Sequence, residues 1–181
     1  HTHLVLVLGR KVGLQLVDPR RFGFVDWFEP VEENHDQSLS KLCMEPLAAE
    51  TNRTLGPLLR SRNTPVKSLL LDQRTVAGVG NIYAVEALWR SGIRPNRRGR
   101  RISLTRLQRL VNDLQEVLGE AIEQGGTTIR DFATPEGDFG YFAVSLQVYG
   151  RTGLPCLKCG TTLKDLRISN RSTPFCPHCQ R

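Results

Sequence analysis

The chain has 181 residues, a net charge of +7 and an isoelectric point near 9.5. No apolar run approaches the roughly 18 residues of a membrane-spanning helix, so the sequence predicts no membrane segment. The first residues have neither a basic leader nor a small-residue cleavage site, which argues against a secretory signal. They also lack an initiator Met and look like the middle of a strand, so we expect the C-terminal part of a longer protein.

Two β-rich runs, His3–Leu8 and Val12–Val17, flank the tripeptide Gly-Arg-Lys, an arrangement typical of a hairpin. A third run, Phe22–Phe28, follows the turn at residues 18–21. Together these runs predict the end of an antiparallel sheet. The next segment, residues 29–52, is acidic and shows no apolar periodicity, so we interpret it as a loop with short helical turns.

The pattern becomes helical near Thr54. One helix is predicted from the spacing of Val66, Leu69, Leu70 and Gln73, and a second over Asn81–Trp89. Ser103 is a suitable N-cap for a third and longer helix. The apolar residues of that helix recur at steps of three and four: Leu104, Leu107, Val111, Leu114, Leu118 and Ile122.

Four cysteines form two C-x-x-C pairs, Cys156 with Cys159 and Cys176 with Cys179, separated by residues 160–175. This spacing is typical of one zinc ion bound by four thiolates, because each tight turn presents two sulfurs and a short hairpin brings the turns together. The alternative is two disulfides, but nothing in the sequence suggests a secreted protein. Four protein ligands leave no open position, so the zinc is expected to be structural.

Arginine dominates two basic runs, Arg60, Arg62 and Lys67 in the first and Arg97, Arg98, Arg100 and Arg101 in the second. A guanidinium can donate two parallel hydrogen bonds to a phosphate, which an ammonium cannot. A zinc ribbon on a basic chain therefore favours a nucleic-acid partner. For any single run, a solvated surface explains the charge equally well.

Residues 76–83 read VAGVGNIY, with two glycines between two predicted helices. Asn81 can cap the second helix, and a helix start directs backbone N–H groups and the positive end of its dipole toward a phosphate. An ordinary corner between packed helices explains the same residues. The segment alone favours the simple corner.

Three longer strings outweigh that reading: LLLDQRTVAGVGNIYAVEALWRSGIRPNR at 69–97, EQGGTTIRDF at 123–132 and GYFAVSLQVYGRTGLPCLKCG at 140–160. They closely resemble the formamidopyrimidine-DNA glycosylase family, and the resemblance extends over essentially all 181 residues. Members of that family are bacterial base-excision enzymes that remove oxidised purines and nick the DNA. The resemblance implies a cytoplasmic bacterial protein, a monomer with one zinc ion, whose partner is damaged double-stranded DNA.

The resemblance implies an α+β multidomain fold. Residues 1–30 are expected to form the last strands of an antiparallel β-sandwich, because HTH at residues 1–3 and DPRRFG at residues 18–23 match that part of the family. Residues 31–53 would be a linker, 54–147 a helix–two-turn–helix domain, and 148–181 a zinc-ribbon β-hairpin.

The resemblance also assigns DNA-binding roles in the first domain. His1 matches a histidine that contacts the DNA backbone. Arg20 and Phe22 match residues that fill the gap left by the extruded nucleotide, which a base-flipping enzyme has to plug.

In the remaining domains, Asn81 matches the asparagine that holds the phosphates flanking the lesion, and Arg62 lies at or next to a phosphate-contacting position. Arg171 matches the arginine at the finger tip, which clamps phosphate and assists the second elimination step, so it is the one catalytic residue expected here. Residues 133–140 correspond to the loop that closes over the flipped base.

Family members begin with a Pro-Glu pair that supplies the nucleophile and the acid/base, and they use a lysine from a β-hairpin. No residue of this sequence matches these, so we expect the chain alone to be inactive. Neither Lys11 nor Lys67 is expected to substitute, because an ordinary lysine with a pKa of about 10.4 is a poor nucleophile at neutral pH.

Two alternatives share these features. One is an endonuclease VIII-like enzyme that prefers oxidised pyrimidines, and the loop TPEGDFGYF at residues 134–142 favours the purine branch over it. The other is a DNA-binding protein without catalysis. A Met-Pro-Glu start in the upstream reading frame would distinguish an enzyme from such a binding module.

Overall fold

A computed structural model describes residues 2–9, 12–18, 21, 23, 25, 40–126 and 146–181. The chain divides into two compact units, residues 1–40 and 41–181. In the first unit, β1 (Thr2–Val7) pairs with β2 (Gly13–Val17) in an antiparallel hairpin with an irregularity near Thr2. The predicted hairpin is confirmed, whereas most of the third β-rich run lies outside the described residues.

The described residues of the second unit, 41–126 and 146–181, form four helices, a 3-10 turn and one hairpin: α1 (Thr51–Ser61), α2 (Val66–Leu71), α3 (Asn81–Arg90), the turn Gly99–Arg101, α4 (Leu104–Glu123), β3 (Lys164–Ile168) and β4 (Arg171–Phe175). The predicted cap of α4 is confirmed, because Ser103 Oγ accepts a hydrogen bond from Arg106 N at 3.4 Å. The first helix begins at Thr51, three residues before the predicted Thr54. α2 ends before Gln73, which its periodicity had included.

The core of the second unit lies between α1, α2, α3 and α4. Their apolar sides are fully buried at Leu55, Leu59, Leu70, Leu88, Leu107, Leu110 and Leu114. The predicted apolar side of α4 is wrong at its two ends, because Leu104 is 47% exposed and Ile122 is 65% exposed. The helix is longer than the surface that it packs against, so the apolar residues at its two ends face solvent.

The C-terminal hairpin packs on α3 through a second apolar cluster. Val85 and Trp89 of α3 contact Val148, Leu163 and Cys156. Since the cysteine-containing turns and α3 share this cluster, the hairpin packs as part of the helical unit.

A buried carboxylate fixes the chain where it enters the hairpin segment. Glu86, on α3 and 2% exposed, accepts hydrogen bonds of 2.9–3.1 Å from the backbone N–H groups of Gln147, Val148 and Tyr149. Several donors compensate the cost of burying its charge. Within the described ranges, no helix is long and apolar enough to cross a membrane.

Candidate nucleic-acid interface and metal centre

The four cysteines of the two C-x-x-C pairs meet at one point. Their Sγ atoms all lie within 4.8 Å of one another, with 4.0 Å between Cys156 and Cys179 and 3.5 Å between Cys159 and Cys176. A tetrahedral zinc site with Zn–S bonds of about 2.3 Å requires sulfur separations of about 3.8 Å. All four thiols are free of disulfides. The cluster fits one structural zinc ion, and the predicted metal site is confirmed.

The electrostatics of the thiols explain why a cation completes this cluster. Burial, together with hydrogen bonds from the neighbouring thiols, raises the pKa of the Cys179 thiol to about 12. Hydrogen bonds from Thr161 lower the pKa of the Cys159 thiol to about 6. Thiols in such close contact titrate as a group, and adjacent thiolates repel one another. A bound dication removes that repulsion and allows all four to ionise.

Metal removal therefore tests the role of the zinc. The purified chain is expected to contain about one zinc ion per molecule, and its loss should unfold the hairpin segment because so small a ribbon has no core of its own. Cys156→Ser should lose the metal, whereas Cys43→Ser, outside the cluster, should keep it. Metal analysis and circular dichroism are the measurements. Bound iron, two intact disulfides or an unchanged zinc-free hairpin would contradict the assignment.

A cleft lies between the turn that precedes α3 and the tip of the hairpin. We call it the Asn81–Arg171 cleft, and it is lined by Ser68, Leu71, Asp72, Gln73, Gly78, Val79, Gly80, Asn81, Ser169 and Arg171. Two residues that the sequence linked to DNA, Asn81 and Arg171, thus line the same concave surface although 89 residues lie between them.

The start of α3 forms one wall of the cleft. Gly78 has a φ of +74°, a left-handed conformation that favours glycine, and its N–H donates to Gln73 Oε1 at 2.7 Å. Gly80 is the N-cap of α3 and provides no side-chain cap, so the predicted capping role of Asn81 is wrong. Asn81 instead donates from Nδ2 to Ser172 O at 3.2 Å and thereby contacts the hairpin.

The hairpin tip forms the opposite wall. Ser169 and Asn170 have φ values of +52° and +57°, as in the two-residue turns that suit the twist of antiparallel strands. This turn pairs Ile168 with Arg171, so Arg171 is the first residue of β4 and lies at the mouth of the cleft. Its side chain is exposed, and no described carboxylate lies within ion-pair distance of it.

Lys67 connects the helices to the hairpin from inside the protein. Its side chain is fully buried, and Nζ donates to Thr173 Oγ1 at 2.6 Å. Burial and the positive charge of Arg171 lower the pKa of Lys67 to about 8, although Asp165 opposes the shift. The premise that Lys67 has an ordinary pKa is therefore wrong. Its burial, and not its pKa, keeps its amine out of reach of an external ligand.

The lowered pKa makes stability depend on pH. Unfolded Lys67 regains a pKa near 10.5, so between about pH 8 and 10.5 the unfolded chain binds more protons than the folded chain. Stability therefore rises with pH across this window, and below it the buried ammonium costs about 2–4 kcal/mol. Lys67→Met removes this cost.

We expect the difference in unfolding free energy between Lys67→Met and the parent to shrink by about 1–3 kcal/mol from pH 7 to pH 10. Urea denaturation of the zinc-loaded proteins measures it. Lys164→Met, at an exposed position of β3, controls for the exchange of lysine for methionine. A difference that stays constant with pH would contradict the proposed cost of the buried charge.

The structure places the remaining predicted residues elsewhere. Arg62 is the C-cap of α1, its carbonyl accepts from Arg100 N at 2.9 Å, and it does not line the Asn81–Arg171 cleft. His1, Arg20, Phe22 and the loop at residues 133–140 lie outside the described residues, so their roles stay predictions.

Sequence reasoning missed the residues that hold the cleft together. Lys67, Ser68 and Glu86 each bond to the C-terminal segment, and the Oγ atoms of Ser68 and Ser169 are 3.0 Å apart. The one available signal was a lysine inside the short apolar helix VKSLLL, where a charge requires a buried partner.

Comparison with known proteins agrees with this architecture. Residues 42–133 match the formamidopyrimidine-DNA glycosylase H2TH domain, and residues 153–181 match a zinc finger found in FPG and IleRS. The formamidopyrimidine-DNA glycosylase of Marinobacter nauticus is 49% identical over the whole chain, which covers 67% of that protein. The corresponding protein of Alkalilimnicola ehrlichii is 47% identical, and the chain covers 65% of it.

Solved structures give the same result. MutM (Fpg) of Thermus thermophilus superposes with a TM-score of 0.91 at 41% identity, over 99% of this chain and 68% of that one. Lactococcus lactis Fpg in complex with DNA containing an abasic site has a TM-score of 0.85 at 32% identity, over 93% of this chain and 62% of that one. The α+β fold with its helical domain and zinc finger is thus confirmed. The chain belongs to the formamidopyrimidine-DNA glycosylase family.

Proposed function

We propose that this chain binds damaged duplex DNA in bacterial base-excision repair, through the Asn81–Arg171 cleft. The observation that carries the proposal is the convergence of Arg171 and the start of α3 on one concave surface. Two similar structures, MutM with DNA containing a carbocyclic 8-oxo-G and Lactococcus lactis Fpg with an abasic site, were determined with DNA. These relatives support the kind of ligand.

The chemistry of the cleft suits a phosphodiester. The first backbone N–H groups of a helix lack intrahelical acceptors and carry the positive end of its dipole, which attracts a phosphate. The guanidinium of Arg171 can donate two parallel hydrogen bonds to phosphate oxygens. Asp72 also lines the cleft, but its Oδ1 is engaged by Arg74 N and Nε at 3.0 and 3.3 Å. The cleft therefore favours an anion.

The activity that we propose for the whole protein is excision of oxidised purines, 8-oxoguanine and formamidopyrimidines, followed by β,δ-elimination at the abasic site. The relatives that support it are named formamidopyrimidine-DNA glycosylases, and this chain spans 65–67% of the length of the two described above. In that activity Arg171 would assist elimination by holding the phosphate. Arg20 and Phe22 would fill the space of the flipped base.

The inactivity of these 181 residues alone stays a prediction, because none of them matches the family's Pro-Glu pair or hairpin lysine. Borohydride trapping on DNA containing 8-oxoguanine tests it. No covalent adduct is expected, and efficient trapping would show that another amine acts as the nucleophile. We also propose that the protein is a monomer in the bacterial cytoplasm. For its organisation we propose four parts, with boundaries after residues 30, 53 and 147.

Removing the Arg171 guanidinium tests the proposed interface. Arg171→Ala should weaken binding to a duplex with an abasic-site analogue by about 1.5–3 kcal/mol, roughly 10- to 150-fold, the scale of a charge-assisted hydrogen bond. Zinc content and folding should not change, because the side chain is exposed and not a metal ligand. Fluorescence anisotropy provides the dissociation constants.

Arg167→Ala is the matched control, since it removes an exposed arginine from the same hairpin at a position that does not line the cleft. A clearly smaller loss of affinity is expected for it. Equal losses of affinity in the two variants would show that Arg171 contributes only through its positive charge and not through a specific contact in the cleft. No loss in either variant would contradict the assignment of the cleft to DNA.

A further inference from the structure

A second basic surface lies away from the Asn81–Arg171 cleft, between the loop that follows α3 and the end of the chain. Arginines from both segments converge on one concave area, which we call the RPNRR surface; its arginines are Arg94, Arg97, Arg98, Arg101 and Arg181. It includes most of the second basic run of the sequence, to which the family resemblance assigned no role.

The backbone of this loop is held in place. Arg97 O accepts from Val66 N at 2.8 Å, and Pro95 O accepts from Lys67 N at 3.2 Å. Gly99 allows the loop to approach α1, because a Cβ at that position would lie 2.0 Å from Leu59 O. The arginines are therefore displayed from a fixed frame, which lowers the entropic cost of ordering them on a ligand.

The metal-binding segment fixes the other side of the surface. Arg181 N donates to Gly92 O at 3.0 Å, and Gln180 Nε2 donates to Ile93 O at 2.9 Å. Arg106, on α4, donates to Gly92 O at 2.9 Å and to the backbone oxygen of Arg181, the last residue of the chain, at 2.8 Å. Since Gln180 and Arg181 directly follow the last cysteine, the surface depends on the zinc site.

No Asp or Glu side chain of the described residues forms an ion pair with the arginines of this surface. The ion pairs of the described ranges involve Arg74, Arg90 and Arg109, none of which belongs to it. Arg97 Nε donates to Arg101 O, and an Arg98 guanidinium nitrogen donates to Asn63 O. Arg94 lies over the ring of Phe175, 5.1 Å from its centroid. Burial and the neighbouring charge of Arg97 lower the pKa of Arg106, as expected where like charges accumulate.

We propose that the RPNRR surface binds the sugar-phosphate backbone of duplex DNA outside the lesion and so extends the footprint of the cleft. Its lining has no large apolar side chain, whereas protein partners need an apolar centre and single strands need aromatic platforms for their bases. The guanidinium groups of this surface can instead each donate two parallel hydrogen bonds to a phosphate. The inference rests on the proposed function, because it assumes that the cleft holds the same duplex.

The separation of the two surfaces fits one duplex. Phe175, under Arg94, is the last residue of β4, and Arg171 is the first, so they are about 13 Å apart along the strand. Duplex DNA carries one negative charge for about every 1.7 Å of its axis. A duplex that contacts Arg171 is therefore long enough to reach a surface at this distance.

Charge reversal at an exposed arginine of the surface tests the proposal on the zinc-loaded chain. Arg101→Glu is expected to lower the affinity for an abasic duplex of about 20 base pairs roughly tenfold at 0.1 M salt. It should also reduce the slope of log K against log salt by about 0.9 for each phosphate that the variant no longer neutralises. Arg98→Glu should behave alike. Arg53→Glu, at an exposed position of α1, changes the net charge equally and should leave the slope unchanged.

The outcomes separate this proposal from the function on which it rests. If the parent binds the duplex and all three reversals have the same small effect on slope and affinity, the RPNRR surface does not touch DNA, and the cleft assignment stands. If the parent does not bind the duplex, both proposals fail. Zinc content and urea midpoint of each variant show that a loss of affinity does not come from unfolding. Loss of binding to an acidic polypeptide, with DNA binding retained, would identify a protein ligand and overturn the proposal.

Discussion

The hydrogen bond between the buried ammonium of Lys67 and the hydroxyl of Thr173 is the interaction on which the candidate interface depends. It joins α2 to β4 two residues after Arg171, at a site from which water is excluded. A lysine in such a place is costly, because burial and the neighbouring Arg171 disfavour its charged form and lower its pKa. Removing one partner of a buried polar pair leaves the other partner without a hydrogen bond, and that loss exceeds the net free energy that the intact pair contributes to folding. The bond therefore constrains the relative positions of α2 and β4 strongly, although it contributes little to the stability of the protein.

Further contacts hold the hairpin at points on either side of that bond. At the tip, the hydroxyl groups of Ser68 and Ser169 meet, and Asn81 donates to Ser172 O. At the base, the four thiols gather where a zinc ion fits, over the apolar cluster that includes Trp89. The hairpin therefore cannot move as a free appendage, and Arg171 keeps a fixed place beside the start of α3. Such a preorganised arrangement lowers the entropic cost of binding a phosphate.

Much of the fold followed from the sequence where local patterns carry the information. The spacing of the two C-x-x-C pairs predicted the metal site, and the periodicity around Leu107 and Leu114 predicted α4. Ser103 acts as the predicted N-cap because its hydroxyl satisfies a backbone N–H of the first turn. In each case, the determining residues lie within a few positions of one another or repeat with a fixed period.

The connections between distant segments could not be predicted in this way. Lys67 and Thr173 are 106 residues apart, and neither has a local pattern that names the other. Asn81 was expected to cap its own helix, but its amide contacts the hairpin because tertiary packing brings Ser172 O within reach. The resemblance to a known family supplied the proposed roles of Asn81 and Arg171, and the structure supplied the contacts that place both on one cleft.

Removing the acceptor of the Lys67 bond tests this account most directly. Thr173→Val is expected to lower affinity for an abasic duplex about tenfold, since Arg171 loses its fixed position, while zinc content stays at one ion per chain. Ser172→Ala, which removes the neighbouring exposed hydroxyl and leaves Ser172 O in place for Asn81, should bind like the parent. If Thr173→Val, folded and zinc-loaded, binds the duplex as tightly as Ser172→Ala, the buried bond does not position the interface, and the account is wrong.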